Sequence, residues 1–285
     1  MGRIAIIGAE VFTPRVRLAS GLVLVEDGRI RAVGRSHEIP LPPDTRLLDA
    51  SGHQVLPALV DLAWRGEMPP PLETGIGRFT PAVTVREETD LDRVAAAAMS
   101  LRASAAAGRS PGLHLILLDE FPSWDAIQAA ADDAIALVTL PAAHPHTPVL
   151  ARRLWRAGPR LILAGPTPTD PFLADGITCG LAATTDPAAP LSARSWLVTP
   201  TPAAAAPARA LLLSRREEPL TAALLAAPEP DPVVLLAATS HPAAFLGLPA
   251  GRLAPGTDAD LLCRSRQGEV VWRMVKGALE AAGGS

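Results

Sequence analysis

The sequence predicts an α/β protein with two parts. Residues 56–246 are expected to form a reduced or incomplete (β/α) barrel, and residues 1–55 and 247–285 a small composite β-sandwich domain. Both ends of the chain are β-rich, while the middle alternates apolar runs of strand length with helical stretches. Residues 56–239 number only 184, whereas a complete eight-unit barrel with its loops takes about 250 residues. We therefore expect some βα units to be short or absent.

The two ends of the chain share one pattern. Near the amino end, the β-rich runs 22–25 and 30–33 flank the pair Asp27-Gly28. An Asp-Gly pair between such runs is a strong hairpin signal, because glycine supplies the positive φ that the turn needs. The carboxyl end carries two further β-rich runs, residues 261–263 and 270–275. Two β-rich ends around a different middle favour one sheet domain built from both termini.

The middle begins with the apolar run 56–62, which continues into Trp64-Arg65-Gly66. A run of this length predicts a fully buried parallel strand whose far end reaches a functional rim. Beyond it, helices are predicted at residues 90–107, 124–131 and 147–157, and strands at residues 113–118, 135–140 and 160–164. This alternation is typical of βα units around a parallel sheet.

Composition and charge exclude several classes of function. A formal net charge of −3 and a pI near 6.1 give no electrostatic footprint for nucleic acid. The two cysteines, Cys179 and Cys263, lie far apart, which provides neither a disulfide framework nor a cysteine-based zinc site and suits a reducing compartment. No apolar run is long enough for a signal peptide or a membrane span. We expect a cytoplasmic protein without nucleic-acid or membrane partners.

The run that opens the middle resembles the first barrel strand of the amidohydrolase superfamily. In that superfamily a Pro-Gly-hydrophobic-hydrophobic-Asp-x-His-x-His-Gly pattern delivers two metal-binding histidines. Here the frame is present as Pro57, Leu59, Val60, Asp61 and Gly66. The two histidine places hold Ala63 and Arg65. Alanine has no donor atom, and a guanidinium stays protonated, so neither residue can ligate a cation.

Other segments resemble one family of that superfamily, the N-acetylglucosamine-6-phosphate deacetylases. The matching segments are residues 79–84, 112–115 and 138–140. Residues 240–261 resemble the return from barrel to sheet that is usual in the amidohydrolase superfamily. The resemblance implies a TIM-like barrel and spans nearly the whole chain. The positions that carry chemistry in that family are changed: its metal-binding glutamate falls on Ile116, its further histidines on Pro166 and near Ala182, and its catalytic aspartate on Pro200.

A few residues remain as candidates for a site. Asp61, Asp119 and Glu120 are the candidate catalytic carboxylates, although the resemblance favours a scaffold role for Asp61 and neighbouring carboxylates on a strand point to opposite faces. The candidate substrate-binding residues are Arg65 and His114. A His-x-His pattern, His144 and His146, could with His114 form a substitute metal site; the alternative is a pair of solvated loop histidines before a helix.

The substitutions lead to three alternative functions. The first is a degenerate deacetylase-like homologue without metal-dependent hydrolysis and without a cofactor, which acts as a binding or partner subunit. The second is an active hydrolase that cleaves an amide C–N bond in an N-acyl amino sugar or similar small molecule through a rearranged site, with a divalent metal as its cofactor. The third is a structural subunit that pairs with an intact paralogue and provides it with an interface. Expected partners are a second copy, a paralogous subunit or a small-molecule ligand.

Overall fold

The computed structural model describes residues 2–13, 16–103, 108–118, 120–164, 179–182, 195–199, 210–212, 224–225 and 227–281. The chain divides into two compact units. Unit 1 comprises Met1–Val60, Pro70–Arg78 and Glu218–Ser285, and unit 2 comprises Asp61–Pro69 and Phe79–Glu217. Both ends of the chain therefore belong to unit 1.

The described elements are sixteen strands and five α-helices. The strands are β1 (Arg3–Phe12), β2 (Arg17–Glu26), β3 (Arg29–Arg35), β4 (Arg46–Asp49), β5 (Gln54–Pro57), β6 (Leu59–Trp64), β7 (Ile76–Val85), β8 (Leu113–Leu117), β9 (Ile135–Pro141), β10 (Arg160–Ala164), β11 (Cys179–Ala182), β12 (Ser195–Thr199), β13 (Ala210–Leu212), β14 (Leu261–Arg264), β15 (Val270–Val275) and β16 (Ala278–Ala281). The helices are α1 (Leu91–Ala103), α2 (Trp124–Ala131), α3 (Thr147–Ala157), α4 (Pro232–Ala238) and α5 (Ser240–Leu246).

Unit 1 is organised by one eight-stranded sheet. The strand order is β16-β15-β14-β5-β1-β2-β3, with β4 paired to β1. Strand β14 runs antiparallel to β5, with Cys263 opposite Val55, so strands from both ends of the chain share this sheet. The core beneath it includes Ile6, Val23 and Met274, each fully buried. The arrangement of the sheet as a two-layered β-sandwich stays a prediction.

The hairpin between β2 and β3 confirms the turn predicted from the sequence. Asp27 and Gly28 have φ of 50° and 79°, and β2 and β3 pair antiparallel with Glu26 opposite Arg29. Two successive positive φ values characterise the turn that best matches the twist of a two-stranded ribbon. Gly28 adopts its φ without a Cβ clash, which explains the Asp-Gly pair.

Unit 2 contains the parallel sheet. Its eight strands follow one another in chain order from β6 to β13. The pairs from β7 to β13 run parallel, and α1, α2 and α3 connect successive strands between β7 and β10. The α/β class is confirmed in this form, a curled parallel sheet in one unit and a β domain in the other. The reduced barrel is the finer description and stays a prediction.

The apolar run that opens the middle is not one strand, which corrects the sequence-based expectation. Its first part belongs to β5 and pairs antiparallel with β14, whereas the rest forms β6 of the parallel sheet. Between them, the Ala58 amide donates to the Asp260 carbonyl, and the Leu59 amide donates to the Gly75 carbonyl. The backbone thus changes partners directly after Pro57. The prediction of burial was right, because every residue of β5 and β6 is buried.

The helices of unit 2 bury one face each, which their apolar spacing requires. Helix α1 buries Val94, Ala98 and Leu101, and α3 buries Leu150 and Leu154. The predicted boundaries of α2 and α3 are confirmed, with Ser123 capping the start of α2 and the left-handed Gly158 ending α3. Within the described ranges, no helix has the length and apolarity that a membrane crossing needs.

Candidate functional site

Strand β6 carries Asp61 in a fully buried position. Its Oδ1 accepts a hydrogen bond of 2.8 Å from the backbone amide of Ala63. This bond from a side chain to the amide two residues on turns the carboxylate toward its own strand. Asp61 therefore helps to shape the end of β6.

Two positions match the histidines of the amidohydrolase pattern that this strand resembles, and they differ in exposure. The Ala63 side chain is buried, while Arg65 is exposed just beyond the strand. Between them, the indole Nε1 of Trp64 donates to the Glu67 carbonyl at 2.8 Å, which fixes the turn that follows β6. The end of β6 thus presents a methyl group and a guanidinium, and neither has a lone pair for a cation.

His114 lies in the middle of β8 with 1% of its surface exposed. Its Nδ1 is 2.5 Å from the Leu62 carbonyl oxygen, and its Nε2 is 2.7 Å from the Thr139 hydroxyl. A carbonyl oxygen only accepts hydrogen bonds, so Nδ1 must carry the proton. The neutral ring then accepts at Nε2, and Thr139 is the donor.

The charge state of His114 follows from its surroundings. Its pKa is lowered to about 4, mainly by burial; the bond to the Leu62 carbonyl acts in the opposite direction, and the nearby positive charge of Arg65 adds to the lowering. The imidazole is therefore neutral at pH 7. The neutral state agrees with the tautomer that the two hydrogen bonds require.

A second threonine joins the same group. The Thr80 hydroxyl on β7 also donates to the Leu62 carbonyl, so that one backbone oxygen accepts from two side chains. We call Leu62, Thr80, His114 and Thr139 the His114 network. It links four neighbouring strands, β6 to β9, through buried polar atoms. Such a network is stabilising only while every member is satisfied.

Sequence reasoning missed Thr80 and Thr139 as partners of His114. Both threonines stand within the segments 79–84 and 138–140, which carry the family resemblance, but strand motifs do not reveal which side chains meet. In the parallel register Ala82 lies opposite His114, and Ile116 lies opposite Thr139. A threonine on each predicted strand flanking a strand histidine is the signal that could have found the group.

The described residues at this end of the sheet do not fit a divalent metal. A neutral imidazole can bind a cation only through an unprotonated nitrogen. In His114 that nitrogen, Nε2, accepts the Thr139 hydroxyl. The neighbouring positions supply Ala63, Arg65 and Ile116, which provide no ligand atom.

The remaining candidate residues are not members of the His114 network. Glu120 is exposed, and Asp119 lies outside the described residues. Pro166 and Pro200 also lie outside the described residues, and Ala182 is described in its backbone alone. A catalytic role for Asp119 or Glu120 thus stays a prediction.

His144 and His146 do lie close to each other. Their ring centroids are 5.4 Å apart with the planes tilted by 53°, and the His146 amide donates to Nδ1 of His144 at 3.2 Å. His144 also contacts Phe121, at 5.1 Å between centroids. His146 is the N-cap residue of α3, and its side chain makes no capping bond. Among the described residues, no group of three or more His, Cys, Asp or Glu side chains is placed to hold a metal ion.

Solved structures of other proteins share this fold. An N-acetyl-D-glucosamine-6-phosphate deacetylase from Mycobacterium smegmatis matches with a TM-score of 0.72 and 19% identity, over 97% of this chain and 99% of that protein. The N-acetylglucosamine-6-phosphate deacetylase from Thermotoga maritima gives a TM-score of 0.70 and 12% identity, over 98% and 100% of the two chains. An enamidase, described as a member of the amidohydrolase superfamily, gives 0.67 and 14%, over 98% and 95%.

The chain therefore has the fold of the amidohydrolase superfamily. Two of the three similar structures are N-acetylglucosamine-6-phosphate deacetylases, the family whose strand motifs its sequence resembles. No family model matches the sequence, and no curated protein matches it. The similarity to the three proteins above is therefore one of structure, because their sequences are only 12–19% identical to this chain.

Proposed function

We propose that this chain is a degenerate homologue of the N-acetylglucosamine-6-phosphate deacetylases, without metal-dependent hydrolysis, that acts as a binding or partner subunit. The observation that supports the proposal most strongly is the state of His114. Both of its ring nitrogens are hydrogen-bonded inside the sheet, and the ring is buried and neutral. His114 is therefore a structural residue of the sheet, and neither of its ring nitrogens is free to bind a cation.

The chemistry of the deacetylase family, which the sequence resembles, explains why the state of His114 matters. Metal-assisted amide hydrolysis needs a cation that polarises the carbonyl and a bound water, together with a carboxylate that passes a proton. At the end of β6 the histidine places hold Ala63 and Arg65, and Asp61 is bonded to the backbone of its own strand. The positive charge of Arg65 also repels a divalent cation at that position.

Turnover of N-acetylglucosamine-6-phosphate tests the proposal. The purified chain is incubated with this compound and with Zn²⁺, Mn²⁺, Ni²⁺ or Fe²⁺ in turn, and the released primary amine is measured. We expect no release above that of buffer containing the same metal. Calorimetric titration with the same compound, without metal, then measures whether the chain retains binding.

The control is a variant that frees the Nε2 atom of His114 without adding a metal-binding side chain. Thr139→Val removes the hydroxyl that occupies Nε2 of His114 while keeping a side chain of similar shape. We expect this variant to be equally inactive. Metal-dependent amine release by the wild-type chain that is lost in His114→Ala or in a double His144→Ala/His146→Ala variant would contradict the proposal and favour an active hydrolase with a rearranged site.

A further inference from the structure

Unit 1 contains an apolar pocket between the facing ends of β1 and β2 on one side and helices α4 and α5 on the other. Its volume is about 230 Å³. A dry apolar cavity of about 150 Å³ is large enough to hold benzene, so this pocket has room for a somewhat larger molecule. Its apolar walls include Phe12, Val16, Pro57, Leu235 and Leu236. We call it the Phe12 pocket.

Hydrogen bonds to the backbone hold one wall of the Phe12 pocket in place. At the junction of α4 and α5, the Thr239 hydroxyl donates to the Leu235 carbonyl at 2.6 Å, and the Ser240 hydroxyl donates to the Gly251 carbonyl at 2.9 Å. Gly251 has a φ of 77°, and a Cβ there would overlap the Thr239 carbonyl oxygen. Only glycine therefore allows this close approach of two backbone segments. The pocket is thus preformed by contacts within unit 1.

The charges beside the pocket are already paired with one another. Arg17 donates through Nε to Glu10 and through Nη1 to Glu229, the second bond being 2.9 Å long. Its guanidinium also lies 5.5 Å from the centroid of the Phe12 ring, in the position that a cationic ligand would take over that face. An anionic ligand would meet two carboxylates, and a cationic ligand would meet the guanidinium. Neither sign of charge is favoured in a ligand.

The hydroxyl groups of the lining also have no hydrogen to offer to an anion. The Thr13 hydroxyl donates to the Val16 carbonyl at 2.8 Å, and those of Thr239 and Ser240 donate to backbone carbonyls as described above. A carboxylate or phosphate entering the pocket would lose its water without gaining a hydroxyl donor. Burial of a charged group without such compensation is costly.

We propose that the Phe12 pocket binds a small uncharged molecule with an apolar body, about the size of a monosubstituted benzene. The volume sets the size, the apolar walls supply the favourable burial, and the paired charges exclude ionic ligands. The pocket belongs to unit 1, whereas the His114 network belongs to unit 2. The site therefore goes beyond the proposed function, and neither the presence nor the absence of hydrolysis decides whether it exists.

Three probes of similar size and different charge test the class of ligand. Benzyl alcohol, benzoate and benzylammonium are each titrated into the full chain at neutral pH, and NMR follows the methyl signals of Val16, Leu235 and Leu236. We expect benzyl alcohol to shift these signals saturably, with a dissociation constant on the order of 0.1–1 mM, as suits a ligand of about eight non-hydrogen atoms. Each charged probe should bind at least about tenfold more weakly.

Two tryptophan substitutions with matched controls test the position of the site. Leu236→Trp fills the pocket from α4, and Val233→Trp on the same helix, at an exposed residue outside the lining, is its control. Val16→Trp places an indole at the mouth, and Leu47→Trp on β4 is its control, because Val16 and Leu47 are 54% and 55% exposed. The substitution at an exposed position should leave folding intact even where Leu236→Trp disturbs it.

Both pocket variants should weaken binding of benzyl alcohol at least about tenfold, since the indole takes the space of the ligand. Both controls should stay within about twofold of the wild type, as is usual for surface substitutions. Three results would overturn the proposal. One is a wild-type chain whose pocket methyl signals do not respond to benzyl alcohol. Another is unchanged affinity in Val16→Trp, and the last is a charged probe that binds as tightly as benzyl alcohol.

Discussion

Thr139→Val tests the His114 network by removing one donor. In the folded chain Thr139 is buried, with 8% of its surface exposed. Its hydroxyl donates to Nε2 of His114 at 2.7 Å. Valine keeps the shape but leaves Nε2 buried with no donor. A buried acceptor left unsatisfied costs about 1–3 kcal/mol. Thr139→Ser, which keeps the hydroxyl and loses a methyl group, is the control and should cost less than about 1 kcal/mol.

Urea unfolding at pH 7.5, followed by fluorescence, measures the difference between the two variants. With a slope of about 2–3 kcal/mol/M, the midpoint for Thr139→Val should fall below that for Thr139→Ser by roughly 0.3–1 M. Loss of the bond to the neutral ring should also raise the pKa of His114, which nitrogen NMR of labelled histidine reports.

The burial of His114 also gives the stability of the chain a defined pH dependence. The pKa of His114 is about 4 in the folded chain, against an ordinary value of 6.5, so the unfolded state takes up a proton more readily between these values. The stabilisation is complete above pH 6.5 and is lost as pH falls toward 4. The difference amounts to roughly 3 kcal/mol, and His114→Leu should remove this part of the dependence.

Two results would refute the reasoning. The first is equal stability of Thr139→Val and Thr139→Ser within about 0.3 kcal/mol, since a buried bond could then not be present. The second is a histidine signal assigned to residue 114 that titrates near its ordinary value. Either result would also weaken the proposal that this side chain is a structural member of the sheet.

Two further predictions concern unit 1. Arg264 is fully buried and donates to the Gln54 side chain and to the backbone carbonyls of Leu224 and Ala227. Arg264→Leu should therefore lower the free energy of unfolding by at least about 3 kcal/mol, and urea unfolding that matches an Arg31→Leu control would contradict this. Deletion of residues 261–281 removes β14, β15 and β16 from the shared sheet and should give an insoluble or dye-binding chain, whereas a sharp, unchanged melting transition would show that β5 and β1 do not need these strands.

Much of the fold was predictable because it follows local patterns. The hairpin at Asp27-Gly28 and helices α2 and α3 lie where turn chemistry and apolar spacing predicted them. The break between β5 and β6 was not predictable, because it depends on a distant contact. The Ala58 amide bonds to the carbonyl of Asp260, more than two hundred residues away. An apolar run alone does not say that its two halves belong to different sheets.

The candidate site was predictable in its substitutions but not in its contacts. The motif resemblance placed Ala63 and Arg65 at the two histidine positions, and His114 was a candidate substrate-binding residue. The structure shows a buried ring with both nitrogens engaged. Those contacts depend on the register of β6, β8 and β9 and on the Leu62 carbonyl. Such information is absent from the spacing of residues within any one strand.

The metal content of the chain tests the central claim most directly. Protein purified without chelator is dialysed against metal-free buffer and measured by inductively coupled plasma mass spectrometry. Because Ala63 and Arg65 offer no ligand atom and Nε2 of His114 accepts from Thr139, we expect well under one equivalent of Zn, Fe, Mn and Ni together. Close to one tightly bound metal per chain, lost on substitution of His144 and His146 by alanine, would contradict the account.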